Sequence, residues 1–232
     1  HWELISASIA GNYREISSVV ASPFVRSRLF AASAFGRVFR SEDGGAHWAS
    51  IGPAQIDDQN NFNNLLALDS VSDVLYLGTD QGIFRSVNSG ATWQQTSIVD
   101  DVLALEVHPG IPNTVFASTR TGLFRSTDAG LSWQPVASAP TGPYGPFVSA
   151  IAINPVRPSE IFIALSGLLG VYRSTDGGAS WLPFNDGLIL APLTAGGVGA
   201  LSINATGDRL YGAGVGVFSR PIGPPPTRIL PR

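Results

Sequence analysis

FRSTDAGLSW, residues 124–133, is a polar decamer that the chain repeats almost letter for letter as FRSEDGGAHW (39–48), FRSVNSGATW (84–93) and YRSTDGGASW (172–181). The shared pattern is Ser-x-Asp-x-Gly-x-x-Trp, seen in Ser41, Asp43, Gly45 and Trp48; in Ser126, Asp128, Gly130 and Trp133; and in Ser174, Asp176, Gly178 and Trp181. In the remaining copy, Ser86, Asn88, Gly90 and Trp93, an amide replaces the carboxylate. Each position has a local job. A short Asp or Asn side chain bonds backbone N–H groups two residues on and fixes a turn. Glycine accepts a positive φ that other residues resist. The serine hydroxyl ties the start of the turn, and the tryptophan carries a large apolar surface beside the next strand.

Each decamer is preceded by a β-like run and a Gly-containing turn: RLFAASAFGRVFRS, VLYLGTDQGIFRS, TVFASTRTGLFRS, EIFIALSGLLGVYRS and, without a decamer, RLYGAGVGVFSR. Further upstream lies another apolar strand: SSVVASP, LLALDS, ALEVHP, AIAINP and ALSINA. The aromatic that opens each decamer falls at Phe39, Phe84, Phe124, Tyr172 and Phe218, with spacings of 45, 40, 48 and 46 residues. A period of this size with several strands per unit predicts an all-β fold, a five-bladed β-propeller with one four-stranded blade per repeat. The blades are expected near 13–52, 62–98, 100–137, 147–184 and 197–220, the last completed by 1–6. Residues 221–232 (PIGPPPTRILPR) read as a Pro-rich tail or linker. The fifth unit loses its decamer after Phe218-Ser219-Arg220, while Trp2-Glu3-Leu4-Ile5 matches the segments that begin at Trp48, Trp93, Trp133 and Trp181 in the other units. The N-terminal strand is therefore expected to complete the last blade and close the ring, removing a free sheet edge. The alternative is an open array that continues in further repeats.

The decamer resembles the Asp-box, or BNR, repeat of sialidases, xyloglucanase-type glycoside hydrolases, sortilin-like receptors and a photosystem assembly factor. Four full copies and one degenerate unit extend the resemblance over nearly the whole chain. It implies that the decamers sit between the third and fourth strands of each blade, on the face opposite the usual binding site. The repeated aspartates are then structural rather than catalytic.

Composition narrows the chemistry. Of 232 residues 44% are hydrophobic and only 13% charged, while Gly (26) and Pro (17) favour short strands and tight turns. All 14 basic residues are arginine, which excludes Schiff-base lysine chemistry and a P-loop lysine. Net charge is −3 and no segment concentrates basic residues, so no nucleic-acid partner is expected. The absence of cysteine excludes disulfides and thiolate zinc sites. The absence of methionine marks a processed or excised piece of a longer product, read as an exported (periplasmic or extracellular) protein of bacterial source. No apolar run approaches the ~18 residues that span a bilayer.

The face opposite the decamers is made by the loops joining second to third strands and by those joining successive blades. Candidate ligand-face residues there are Asp80, Arg120, Asp100 and Asp101, together with the apolar Tyr144, Leu168, Leu169 and Ile189. A sialidase-like site needs three arginines, a Tyr–Glu pair and an acid. Only Arg120 projects from such a loop, with Arg14 a second candidate, and the Arg-Ile-Pro motif is missing. A xyloglucanase-like site needs two opposed carboxylates. Among Asp57, Asp58, Asp80, Asp100, Asp101 and Asp186, the best pair is Asp80 with Asp100 or Asp101, although five short blades leave little room for a long cleft. Of the histidines, His1, His47 and His108, none has a partner set for a metal, and an oxygen-rich loop at Asp57, Asp58, Asn60 and Asn61 lacks EF-hand spacing. No cofactor, metal or catalytic residue is expected. The sequence reads as a non-catalytic binding or scaffolding module with a protein partner or neighbouring domains. The alternative is a glycan-binding or glycan-hydrolysing module that uses the axial pocket.

Overall fold

The computed structural model describes residues 9, 16–34, 37–53, 65–141, 145, 147–166, 170–188, 198–214 and 216–223. They form a five-bladed β-propeller, with no helix among the described residues. Blade one is β1 (Ile16–Ala21), β2 (Leu29–Ser33), β3 (Val38–Ser41) and β4 (Ala49–Ser50). Blade two is β5 (Leu65–Leu68), β6 (Leu75–Thr79), β7 (Gly82–Ser86) and β8 (Gln94–Gln95). Blade three is β9 (Val102–Val107), β10 (Val115–Thr119), β11 (Gly122–Ser126) and β12 (Gln134–Pro135). Blade four is β13 (Val148–Ile153), β14 (Ile161–Leu165), β15 (Gly170–Ser174) and β16 (Leu182–Pro183). Blade five shows three strands, β17 (Ala200–Ile203), β18 (Arg209–Ala213) and β19 (Val217–Pro221). Each sheet is an antiparallel meander in chain order, and the first strands of successive blades lie side by side. The expected closing strand, Trp2–Ile5, lies outside the described residues. Beyond β19, Ile222 is buried in the core between blades four and five.

Strand alternation puts one set of side chains into each of two seams. On β10, Val115 and Ala117 pack toward blade two, whereas Phe116 packs toward blade four. All five residues of β10 are buried, because both faces of an inner blade are covered. Among the described residues the core is thus four apolar clusters, one for each seam between successive blades, rather than a single centre.

The decamers join third to fourth strands. In each, the serine Oγ accepts from the glycine N–H four residues on, at 2.9 Å for Ser41 and Ser86 and 2.8 Å for Ser126 and Ser174. The same hydroxyl donates to Oδ1 of the Asp or Asn two residues on, and that oxygen accepts the N–H of the residue four positions beyond it at 2.9 Å. Two successive residues then take positive φ, as at Ala129 (60°) and Gly130 (79°). A Cβ on Gly130 would lie 3.1 Å from the ring of Tyr76 in the preceding blade, so glycine is required for contact as well as conformation. Ser132 and Ser180 donate to the second carboxylate oxygen at 2.6 Å, and the His47 ring occupies that place at 2.7 Å. At Asn88 the direction reverses: its Nδ2 donates to Thr92 Oγ1 at 2.9 Å, which explains how an amide serves there.

The tryptophans anchor each blade on the one before it. Trp93 packs in the seam between blades one and two and donates to Ile51 O at 2.6 Å. Trp133 and Trp181 fill the next two seams. Two of the decamer arginines work in the other direction. Arg40 donates to Ser89 O in blade two at 2.9 Å, and Arg173 donates to Gly223 O beyond β19 at 2.9 Å while pairing with the buried Glu160.

A second repeated device closes the turns between first and second strands, which share the decamer face through bonds such as Ala129 N–H to Asn113 O, 2.9 Å. Asp69, His108 and Asn154 each accept two backbone N–H groups of their own turn. Each also reaches the next blade. Asp69 accepts from Asn113 N–H at 2.7 Å, His108 Nε2 donates to Pro158 O at 3.1 Å, and Asn154 Nδ2 donates to Gly207 O at 2.8 Å. Two N–H donors on Nδ1 keep His108 in its neutral Nε2–H form, and burial lowers its pKa further.

Candidate functional site

On the face opposite the decamers, the structure gathers four of the sequence-selected residues at the seam between blades two and three. The β6–β7 hairpin carries Asp80. Thr79 Oγ1 holds the hairpin by accepting from Gln81 N–H at 3.0 Å and donating to Gly82 O at 3.0 Å. Gly82 has φ 110°, and a Cβ there would lie 2.1 Å from Ile98 O, so the connection to blade three passes against it. That connection ends in Asp100 and Asp101, which meet the β10–β11 hairpin. Asp100 Oδ2 accepts from Thr121 N–H at 3.2 Å and from Thr121 Oγ1 at 3.0 Å. Asp101 Oδ2 accepts from Arg120 Nε and Nη2, both at 2.8 Å.

The electrostatics differ among the three carboxylates. Burial pushes Asp100 up, but the bonds from Thr119, Thr121 and backbone N–H groups outweigh it and hold the carboxyl below its ordinary value. Burial, and then the charge of Asp101, raise Asp80 above the ordinary value. Arg120 keeps 63% of its side chain exposed, so the Asp101–Arg120 pair leaves guanidinium N–H groups facing solvent. The arrangement offers donors from Arg120 and an acceptor from Asp80 within one rim. It does not offer two free carboxylates for acid–base work, because Asp100 and Asp101 are both engaged.

Of the other candidates, Asp186 is placed elsewhere, against Arg220 at 3.1 Å. Tyr144, Leu168, Leu169 and Ile189 lie outside the described residues, as do His1, Arg14, Asp57, Asp58, Asn60 and Asn61. No group of three His, Cys, Asp or Glu residues that could hold a metal is found among the described residues. His47 is committed to Asp43, and His108 to its turn. The blade-crossing role of Asp69, His108 and Asn154 escaped sequence reasoning. Its signal was present, as a polar residue ending each first-strand run and preceding Pro or Ser. Glu106 on β9 also escaped notice. It pairs in register with Phe116, and burial pushes its carboxyl up to about 7.

No family model matches the chain. A 66-residue stretch, 27% of the chain, is 35% identical to vacuolar protein sorting/targeting protein 10 of Kluyveromyces lactis and spans 4% of that protein. The GH74 xyloglucanase from Xanthomonas campestris superposes on 87% of the chain with a TM-score of 0.66 and 19% identity, over 36% of its own length. YCF48 bound to D1 peptide superposes on 88% of the chain with a TM-score of 0.57 and 14% identity, over 65% of its length. The chain therefore spans less than two thirds of each of these relatives, and at such identities the likeness establishes the β-propeller fold and no more.

Proposed function

We propose that the chain is a propeller of Asp-box type that acts as a non-catalytic binding or scaffolding module, exported and displayed within a larger protein or assembly. The observation that carries this reading is the commitment of the loop-face carboxylates. Asp100 is engaged by Thr121 and Asp101 by Arg120, which among the described residues leaves Asp80 without a free carboxylate partner for glycosidic hydrolysis. A peptide-bound propeller among the structural neighbours is consistent with a protein contact. In this reading the contact is made by the apolar loop residues Tyr144, Leu168, Leu169 and Ile189, and Asp80 and Arg120 are dispensable for it.

A glycan-binding module is the second reading, favoured by the exposed donors of Arg120 beside Asp80 and by the likeness to a xyloglucanase. Cross-linking of the exported chain to its neighbours in the source cells, with Leu169→Asp/Ile189→Asp and Asp80→Ala/Arg120→Ala as comparisons, separates the two. A protein module loses its cross-link in the apolar double variant and neither binds nor cleaves xyloglucan in any form. Xyloglucan binding or cleavage that is abolished by Asp80→Ala/Arg120→Ala would install the second reading instead.

A further inference from the structure

The seam between blades four and five departs from the other three in two ways. Where Leu77, Ala117 and Ile163 stand in mid-strand opposite Phe84, Phe124 and Tyr172, blade five has Gly212 opposite Phe218. The third strand also inverts two residues. Tyr172-Arg173-Ser174 becomes Phe218-Ser219-Arg220, so Arg220 stands opposite Leu210 where Ser174 stands opposite Ile161. The small residue opens a cavity of about 160 Å³ lined by Val171, Phe184, Leu201, Leu210 and Phe218. The inverted arginine supplies its one cationic wall.

Arg220 lies over the ring of Phe184, its guanidinium carbon 3.8 Å from the ring centroid. Nη2 donates to Asp186 at 3.1 Å, and the Asp186 side chain is 96% exposed. Nη1 is buried and has no hydrogen-bond partner among the described residues. Arginine only donates, so the group that this wall suits is an acceptor. The neighbouring Arg173 does not share the task, because it is paired with Glu160.

We propose that this cavity binds a small monocarboxylate with an apolar body: a branched-chain or aryl carboxylic acid, free or as the C-terminal residue of a peptide. Its carboxylate accepts from Nη2 of Arg220 in place of Asp186, which is released to water. Its body fills the space left by Gly212, which has room for one branched alkyl or phenyl group. A sugar finds too few polar partners in this lining, and a phosphate too little positive charge. An indole fills the other three seams at Trp93, Trp133 and Trp181, which makes Trp2 the competing occupant. The cavity lies in a different seam from the loop-face cluster and does not depend on it.

The test is calorimetric titration of the full chain with 4-methylpentanoate, phenylacetate, the tripeptide Ala-Ala-Leu and the amides of all three. Saturable binding of the acids with loss of binding in the amides is expected. Asp186→Asn removes the competing carboxylate from an exposed position and is expected to tighten binding several-fold. Arg220→Met and Gly212→Leu are each expected to weaken it roughly tenfold or more. A Cβ on Gly212 meets Val198 Cγ1 at 3.4 Å, so the first atom of the leucine is accommodated without a clash. Tighter binding of Ala-Ala-Leu assigns the site to peptide C-termini, and tighter binding of the simple acids assigns it to free carboxylates. Equal binding of acids and amides, no saturable binding, or weaker binding in Asp186→Asn would overturn the proposal. Binding that emerges only after Trp2→Ala would also overturn it, by giving the cavity to the chain's own N-terminal strand.

Discussion

Asp128 and Asp80 are both aspartates in tight turns between β-strands, on opposite faces of the ring, and their surroundings treat them in opposite ways. Asp128 accepts from Ser126 Oγ, Ser132 N–H and Ser132 Oγ, and these bonds, led by the Ser132 hydroxyl, lower its pKa to about 2. Asp80 is raised by burial and by Asp101. One carboxylate is consumed in making its turn. The other is held against its preference for charge and faces outward. Residue type and turn context therefore do not separate the two aspartates. What separates them is how much of the group's hydrogen-bonding capacity the fold has used.

The severest challenge to this contrast comes from the decamer side. Trp133 is 9% exposed and fills the seam between blades two and three. Trp133→Ala is expected to cost about 3–5 kcal/mol in chemical denaturation. A loss near zero would mean that the decamers decorate the ring without holding it.

Glu106 adds a third case, a carboxylate that neither builds a turn nor faces a ligand. Its folded pKa of about 7 lies above the ordinary 4.5. Below about 4.5 it is protonated in both states and its contribution is intact. Between about 4.5 and about 7 the folded state retains a proton that the unfolded chain has lost, and stability falls across that window. Glu106→Gln should therefore match the parent near pH 4 and exceed its melting temperature by a margin that opens up to about pH 7 and then stays level. A constant margin across the range would remove burial of the carboxyl as the cause.

The smallest effect is expected where the decamer already varies. In Asn88→Asp, Thr92 Oγ1 needs only to turn its proton toward the new carboxylate, as Ser132 and Ser180 do in their turns. The melting temperature at neutral pH should stay within about a degree or two of the parent, or rise. A large drop would show that the turn at 86–93 depends on the amide itself.

The fold was legible because the decamer carries its own turn chemistry. Ser126, Asp128, Gly130 and Trp133 each act within a few residues or on the adjoining blade, so spacing alone conveys their arrangement. The same holds for the period from Phe39 to Phe218, which predicts five blades. The candidate site was legible only as a set of loops. Arg120 and Asp101 are 19 residues apart, and their pairing, which engages one member of the best carboxylate pair, arises because β10 folds back beside β9 within blade three. Asp69, His108 and Asn154 looked like ordinary strand-end residues because their second partners sit in the next blade. Gly212 and Arg220 looked like decay of the fifth repeat. Only the register of β18 and β19 shows that the two changes open one cavity and place a cation in it.

The decisive measurement is the melting temperature of Asp128→Ala beside that of Asp80→Ala at neutral pH. A drop of several degrees is expected for Asp128→Ala, which strips three hydrogen bonds from its turn. For Asp80→Ala the expected outcome is no loss or a slight gain. A fall in Asp80→Ala as large as or larger than that in Asp128→Ala would contradict the division of labour between the two faces.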